Sequence, residues 1–192
     1  MGNAQTWQDT LTLIEKMAER YPPAGPGGQL GISRNGQVVF SRAWGMADLE
    51  HNIPLSNRSV IEAGSVSKQF TAAAILLLEQ QGKLSVNDDV RKYVPEVPDY
   101  GTPILLRQMM QHTSGLKDWG SVMDIAGWPR STKTYSNDDA LLIISRQKTL
   151  NHTPGAEYIY SNSNYNLFAI IVERVSGMSL AFSANFCLTA AV

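Results

Sequence analysis

The chain has 192 residues, 43% of them hydrophobic and 17% charged, a composition that suits a folded chain able to bury roughly 70% of its unfolded surface and does not suit a disordered one. Sixteen Lys and Arg against seventeen Asp and Glu leave a net charge of −1, so there is no electrostatic footprint for a polyanion and no nucleic-acid partner is expected. A single cysteine, Cys187, excludes an intrachain disulfide framework, and three scattered histidines with one thiol make no metal set, so neither metal nor other cofactor is expected.

Trp7, Leu11, Ile14, Met17 and Tyr21 recur at spacings of three and four and predict an amphipathic helix, which the stretch from Pro22 to Gly28 breaks. Two strand-like runs follow, Gln29 to Arg34 and Gln37 to Ala43, around Asn35-Gly36. That dipeptide supplies positive φ in a tight turn, so the pair predicts an antiparallel hairpin. A Gly, Asp and Asn-rich connection leads to Gly64-Ser65. From Phe70 to Leu78 the chain reads as a buried helix opened by Ser65 and stopped at Gly82. Its longest apolar stretch, Ala72 to Leu78, falls well short of the ~20 residues of a membrane span.

Beyond this point the pattern is helical. A short turn is expected near Val90 to Val94, a helix near Leu105 to Gln111, and another that starts at Ser136, where Asp138 and Asp139 follow as first-turn acids. A last helix carries Leu167, Ile170, Ile171 and Val175 and ends at Gly177. One hairpin followed by a helical block defines an α+β fold with a sheet of marginal size. After Arg174 no residue is charged, so 180–192 form an atypical tail, expected to reflect truncation, an altered reading frame or burial in an oligomer. The open hairpin edges and the apolar tail together predict self-association. The N-terminus lacks the basic start and apolar run of a secretory signal. A signal removed upstream would place the chain in the periplasm or outside the cell, so the compartment stays open.

Chemistry concentrates in two places. In Ser65-Val66-Ser67-Lys68, the spacing of three puts a hydroxyl and an ammonium on one helix face within hydrogen-bond reach. A serine hydroxyl is a weak nucleophile alone, a lysine desolvated beside it can take its proton, and the helix N-terminus offers N–H groups where an acyl oxyanion would form. The plainer reading is a capping serine followed by a solvated lysine. Downstream, Tyr160-Ser161-Asn162 follows Thr153-Pro154-Gly155 in a loop before a helix. There Tyr160 near Lys68 would relay a proton, and Asn162 would hold a substrate amide or carbonyl.

The ordered set Ile61 to Phe70 with its Ser-x-x-Lys, His112-Thr113-Ser114-Gly115-Leu116, and Pro154-Gly155 leading to Tyr160-Ser161-Asn162 resembles the serine β-lactamase-related family. That family includes class C β-lactamases, penicillin-binding DD-peptidases and related esterases. The likeness runs from about Gly27 to Ser179. It implies a β-lactamase/transpeptidase-like fold, in which 1–179 form a partial domain, 1–60 holding the helix and hairpin of the sheet part and 61–179 the helical part with the motifs. It also implies Ser65 as the acylated nucleophile, Lys68 and Tyr160 as the acid/base pair, and Asn162 as a substrate contact. His112 would be structural, in a turn closed at Gly115. Family members continue into further strands, one bearing a Lys-Thr-Gly or His-x-Gly motif, and these are expected to be missing here. Lys133-Thr134-Tyr135 precedes Tyr160, lacks the glycine and does not substitute. The expected function is hydrolysis of a β-lactam, peptide or ester through an acyl-enzyme. The alternative is a non-catalytic or truncated member that acts by binding or assembly. An α/β-hydrolase is excluded, because there is no Gly-x-Ser-x-Gly elbow.

Overall fold

A computed structural model describes residues 6–128, 131 and 134–180. Cys187, Lys133 and positions 181–192 of the uncharged tail lie outside the described residues. The chain divides into two compact units, 1–62 and 63–192.

In the first unit, helix α1 (Trp7–Ala18) starts at Thr6, whose hydroxyl accepts the Asp9 N–H while the Asp9 carboxylate accepts the Thr6 N–H at 2.8 Å. This reciprocal cap satisfies donors that the first turn leaves open. Strands β1 (Gly28–Arg34) and β2 (Gln37–Trp44) pair antiparallel, with Arg34 opposite Gln37 across the Asn35-Gly36 turn. Both turn residues have positive φ, 52° and 74°, the backbone that a two-residue hairpin of native twist requires. The register shifts between Ile32 and Ser33, which places Ile32 opposite Phe40 but Ser33 opposite Val38.

The connection after β2 is more ordered than its composition suggests. Strands β3 (Met46–Asp48) and β4 (Ile53–Pro54) form a second small antiparallel sheet, closed by Asn52 at φ 53° and by the Asp48 carboxylate on the His51 N–H. Runs of three and two residues are too short to display alternation, so the expectation of a single hairpin is corrected to two two-stranded sheets among the described residues.

The second unit is helical and holds the core. Helix α2 (Lys68–Gln80) buries Thr71, Ala74, Ile75 and Leu78 on one face, and it ends at Gln81 with Gly82 left-handed at φ 70°. A 3₁₀ turn, Gly64–Ser67, precedes it. Ser65 therefore does not open the helix as its cap, as the sequence suggested, but sits in this tighter turn just ahead of it. Helix α3 spans Leu106–Met110, α4 Trp119–Ile125, α5 Asn137–Ser145 and α6 Asn162–Ser176. Ser136 caps α5 in a box with Asp139, as its sequence predicts. The seven-residue α4 was not legible, being two turns long.

Leu167 to Val172 are all buried, so the middle of α6 is apolar all round, and α2, α3, α4 and α5 pack against this helix. Phe168 and Val172 of this helix, and Ile75, Leu106, Met109 and Ile144 around it, are almost fully buried. Each such side chain contributes about 1.5–3 kcal/mol. At its C-terminal end, Arg174 clamps the Glu96 carboxylate through two nitrogens at 2.9 and 2.7 Å and donates to the Tyr93 carbonyl.

Candidate active site

Ser65, Lys68, Tyr160 and Asn162 meet within the second unit. The Lys68 Nζ donates to Ser65 Oγ at 3.1 Å, and the Tyr160 phenol lies 2.7 Å from the same Oγ. Lys68 also donates to Asn162 Oδ1 at 2.9 Å. Because Lys68 begins α2 and Ser65 sits in the preceding 3₁₀ turn, local chain geometry alone brings these two together. Tyr160 and Asn162 arrive from the far side of the sequence, at the N-terminus of α6. The Lys68 ammonium stands 5.0 Å from the centre of the Tyr160 ring and 5.6 Å from that of Tyr165, so two aromatic faces line its pocket.

Electrostatics act on the phenol in opposite senses. Partial burial pushes the Tyr160 pKa up, but hydrogen bonding with Lys68 and Ser65 and the Lys68 charge outweigh it, and the phenol is held below its ordinary value. Asp118 pushes the other way, weakly.

The loop after α3 seats Tyr160. His112, buried and left-handed at φ 56°, stacks on the Tyr160 ring with centroids 4.4 Å apart and contacts Tyr165 at 5.3 Å. The turn that ends α3 is thus made at His112 and not at Gly115, which corrects the expected stop. His112 Nδ1 accepts the Ser161 N–H at 3.2 Å, so a neutral ring carries its proton on Nε2. Burial first, and then the Lys68 charge, press the imidazole pKa below its usual value and favour that neutral form.

Backbone bonds fasten the segment before Tyr160 to the same loop. Ile159 N–H donates to the His112 carbonyl, Gly155 N–H to Thr113 and Asn151 N–H to Gly115. Gly115 has φ 77°, and a Cβ there would stand 2.2 Å from the His152 carbonyl oxygen. Only glycine allows the two loops to approach this closely. Ser114 Oγ donates to the buried Asn164 at 2.6 Å and adds a side-chain tie to α6.

Asp118 joins this set without having been singled out in the sequence. Its Oδ2 accepts the Asn162 backbone N–H at 2.6 Å and the Asn162 Nδ2 at 2.9 Å, while Oδ1 accepts the Ser121 N–H and caps α4. The signal was the order Asp118-Trp119-Gly120-Ser121, an acidic cap before a short helix. Its approach to Asn162 is a tertiary contact that no local pattern contains.

The Ser65 hydroxyl is thus shared by a lysine and a tyrosine rather than by a histidine, an arrangement unlike a Ser-His-Asp triad. The chain belongs to the β-lactamase family, whose model, described as Beta-lactamase, matches residues 14–184. It is 36% identical over 173 residues to a D-aminopeptidase of Cereibacter sphaeroides, an alignment covering 88% of this chain and 33% of that protein. Among solved structures, it is similar to the octameric penicillin-binding protein homologue from Pyrococcus abyssi, with a TM-score of 0.72 and 27% identity over 92% of this chain and 40% of that one. EstCE1, a hydrolase with promiscuous acyltransferase activity, gives a TM-score of 0.72 and 25% identity over 93% of this chain and 49% of that one. The chain spans about a third of the length of its D-aminopeptidase relative. These likenesses place the two units in a β-lactamase/transpeptidase-like fold.

Proposed function

We propose that the chain carries the acylating centre of a serine hydrolase that acts on amide or ester carbonyls, the strained amide of a β-lactam and the peptide bond among them. The carrying observation is the single hydroxyl of Ser65 in reach of both Lys68 Nζ at 3.1 Å and Tyr160 Oη at 2.7 Å. Ser65 Oγ attacks the carbonyl carbon and its proton passes to the Tyr160 oxygen, which the adjacent ammonium of Lys68 favours as phenolate. The carbonyl oxygen takes up negative charge at the positive end of the helical segment that begins at Gly64. Collapse breaks the bond to the leaving nitrogen or oxygen, and Tyr160 returns its proton to that atom. Water then attacks the acyl-serine, gives its proton to Tyr160, and Ser65 recovers it as the acid product departs. The name of the D-aminopeptidase relative supports an amide substrate, and that of EstCE1 supports acyl transfer.

Intact-mass analysis after incubation of the chain with a penicillin, and separately with an activated ester, tests this reading. A stoichiometric acyl adduct is expected, absent in Ser65→Ala. Ser65 is exposed and caps no helix, so the variant should melt within about 1 kcal/mol of the parent. No adduct with either probe, or an adduct that persists in Ser65→Ala, would overturn it and favour a member acting through binding or assembly.

A further inference from the structure

Asp118, Asn162, Lys68 and Ser65 form one unbroken line of hydrogen bonds, and the chemistry of its two ends dictates how the middle must sit. The Asp118 carboxylate can only accept; the Lys68 ammonium can only donate. Between them lies the Asn162 amide, which has one end of each kind. Just one of its two orientations satisfies both neighbours, with Nδ2 on Asp118 Oδ2 at 2.9 Å and Oδ1 facing Lys68 Nζ at 2.9 Å. The reversed amide would set two donors against the ammonium and an oxygen against the carboxylate. The same Oδ2 also holds the Asn162 backbone N–H at 2.6 Å, which fixes where the side chain springs from, and Oδ1 is tied to the start of α4 at 2.9 Å.

We infer that Asp118 is a positioning residue for the acyl transfer proposed above: its carboxylate sets the Asn162 amide with the oxygen toward Lys68, and through that oxygen holds the ammonium on Ser65. This inference rests on that proposal for its effect on rate. Its structural content, a lysine ammonium held in place by a carboxylate two bonds away, stands apart from turnover. In this arrangement Asn162 oxygen serves Lys68, so the amide that the family resemblance gives to substrate contact is also part of the machinery around the nucleophile.

The test compares Asp118→Asn with the charge-swapped pair Asp118→Asn with Asn162→Asp. An asparagine at 118 has one oxygen for two tasks. If it caps α4, its NH₂ faces the Asn162 donors, the amide orientation is lost and Lys68 loses its acceptor on residue 162, keeping Ser65 Oγ alone. In the double variant, the new carboxylate at 162 presents one oxygen to Lys68 and accepts the NH₂ of residue 118 with the other, and the cap on α4 is kept; the backbone N–H of residue 162 loses its acceptor, so the recovery is partial. Asp118→Asn should acylate ~10²-fold more slowly than the parent, the scale of loss for a misplaced catalytic group. The double variant should recover about tenfold, a coupling that independent sites would not show. Melting temperature reports the shared structural cost, and the two variants should differ little in it.

A second readout does not need turnover. The ¹⁵Nζ–H resonance of Lys68, observable when its protons are held in hydrogen bonds, should be present in the parent, lost in Asp118→Asn and restored in the double variant. Acylation of Asp118→Asn within about threefold of the parent overturns the inference, as do equal rates in the two variants or a Lys68 resonance that persists in Asp118→Asn. If the parent forms no Ser65 adduct, the acyl-transfer proposal falls, and the Lys68 resonance still decides the role of Asp118.

Discussion

Tyr160 is 43% exposed, yet nearly everything it touches bears on its proton. Ser65 shares a hydrogen bond with its oxygen, Lys68 lies against its ring, and His112 stacks beneath it. Since the phenol is held below its ordinary pKa, the form that takes a proton is available at lower pH than for a free tyrosine. Acylation should therefore rise with pH through a midpoint below 10 and level above it. Tyr160→Phe should cut the acylation rate by ~10² or more and remove that limb, with little change in substrate affinity. A pH series of single-turnover rates on parent and variant checks this; a change confined to KM would make Tyr160 a wall of the site.

At the scale of elements, the decisive unit is α6 with the loop that leads into it. The helix is apolar through Leu167 to Val172 because α2, α3, α4 and α5 all pack on it, and its first residue carries the amide that faces Lys68. Core and site are thus two stretches of one rod. Phe168→Ala should destabilise the chain by about 3–5 kcal/mol, measured by denaturant melting, since a fully buried ring leaves a cavity that the surrounding helices cannot close. Gly115→Ala acts on the loop instead. It forces a side chain into φ 77° against the His152 carbonyl. It should cost about 1–3 kcal/mol in backbone strain. Because the same loop seats Tyr160, acylation should fall further in this variant than in a core variant of equal stability loss.

Across the whole molecule, acid stability draws on several carboxylates held below their ordinary pKa, Asp88 the most strongly shifted of them. Asp88 accepts hydrogen bonds from the Tyr93 phenol, the Lys92 ammonium and the Ser85 N–H, and these, in that order, pull its pKa from 3.8 to about 2. A folded-state value below the unfolded one means that the stabilisation is complete above about pH 4 and is lost as pH falls through about 2. Asp88→Asn should lower the melting temperature near neutral pH and flatten its decline below pH 4, as thermal melts across a pH series will report. The two-stranded sheets pose a different question. Val38 and Val39 on β2 are exposed, and among the described residues the sheet has two strands, which leaves backbone groups open at both edges. Sedimentation of a concentration series is expected to show association that Val38→Lys weakens; a concentration-independent monomer would contradict it.

The hairpin at Asn35-Gly36, the caps at Ser136 and Gly177, and the pairing of Ser65 with Lys68 were all determined by the sequence alone. Each depends on residues within a few positions of one another, where backbone sterics and helix spacing leave few options. The order of the three motifs also sufficed to indicate the family. Tertiary structure decided the rest. Ninety-odd residues separate Ser65 from Tyr160, and their meeting at 2.7 Å depends on how α6 packs against α2. His112 read as a turn residue and turned out to lie beneath the Tyr160 ring, while Asp118 read as nothing and came to rest on Asn162. The strands β3 and β4 were too short to carry a period, and they exist because of each other. What is local in energy is legible in the chain; a contact whose free energy arises from packing distant segments is written only in the fold.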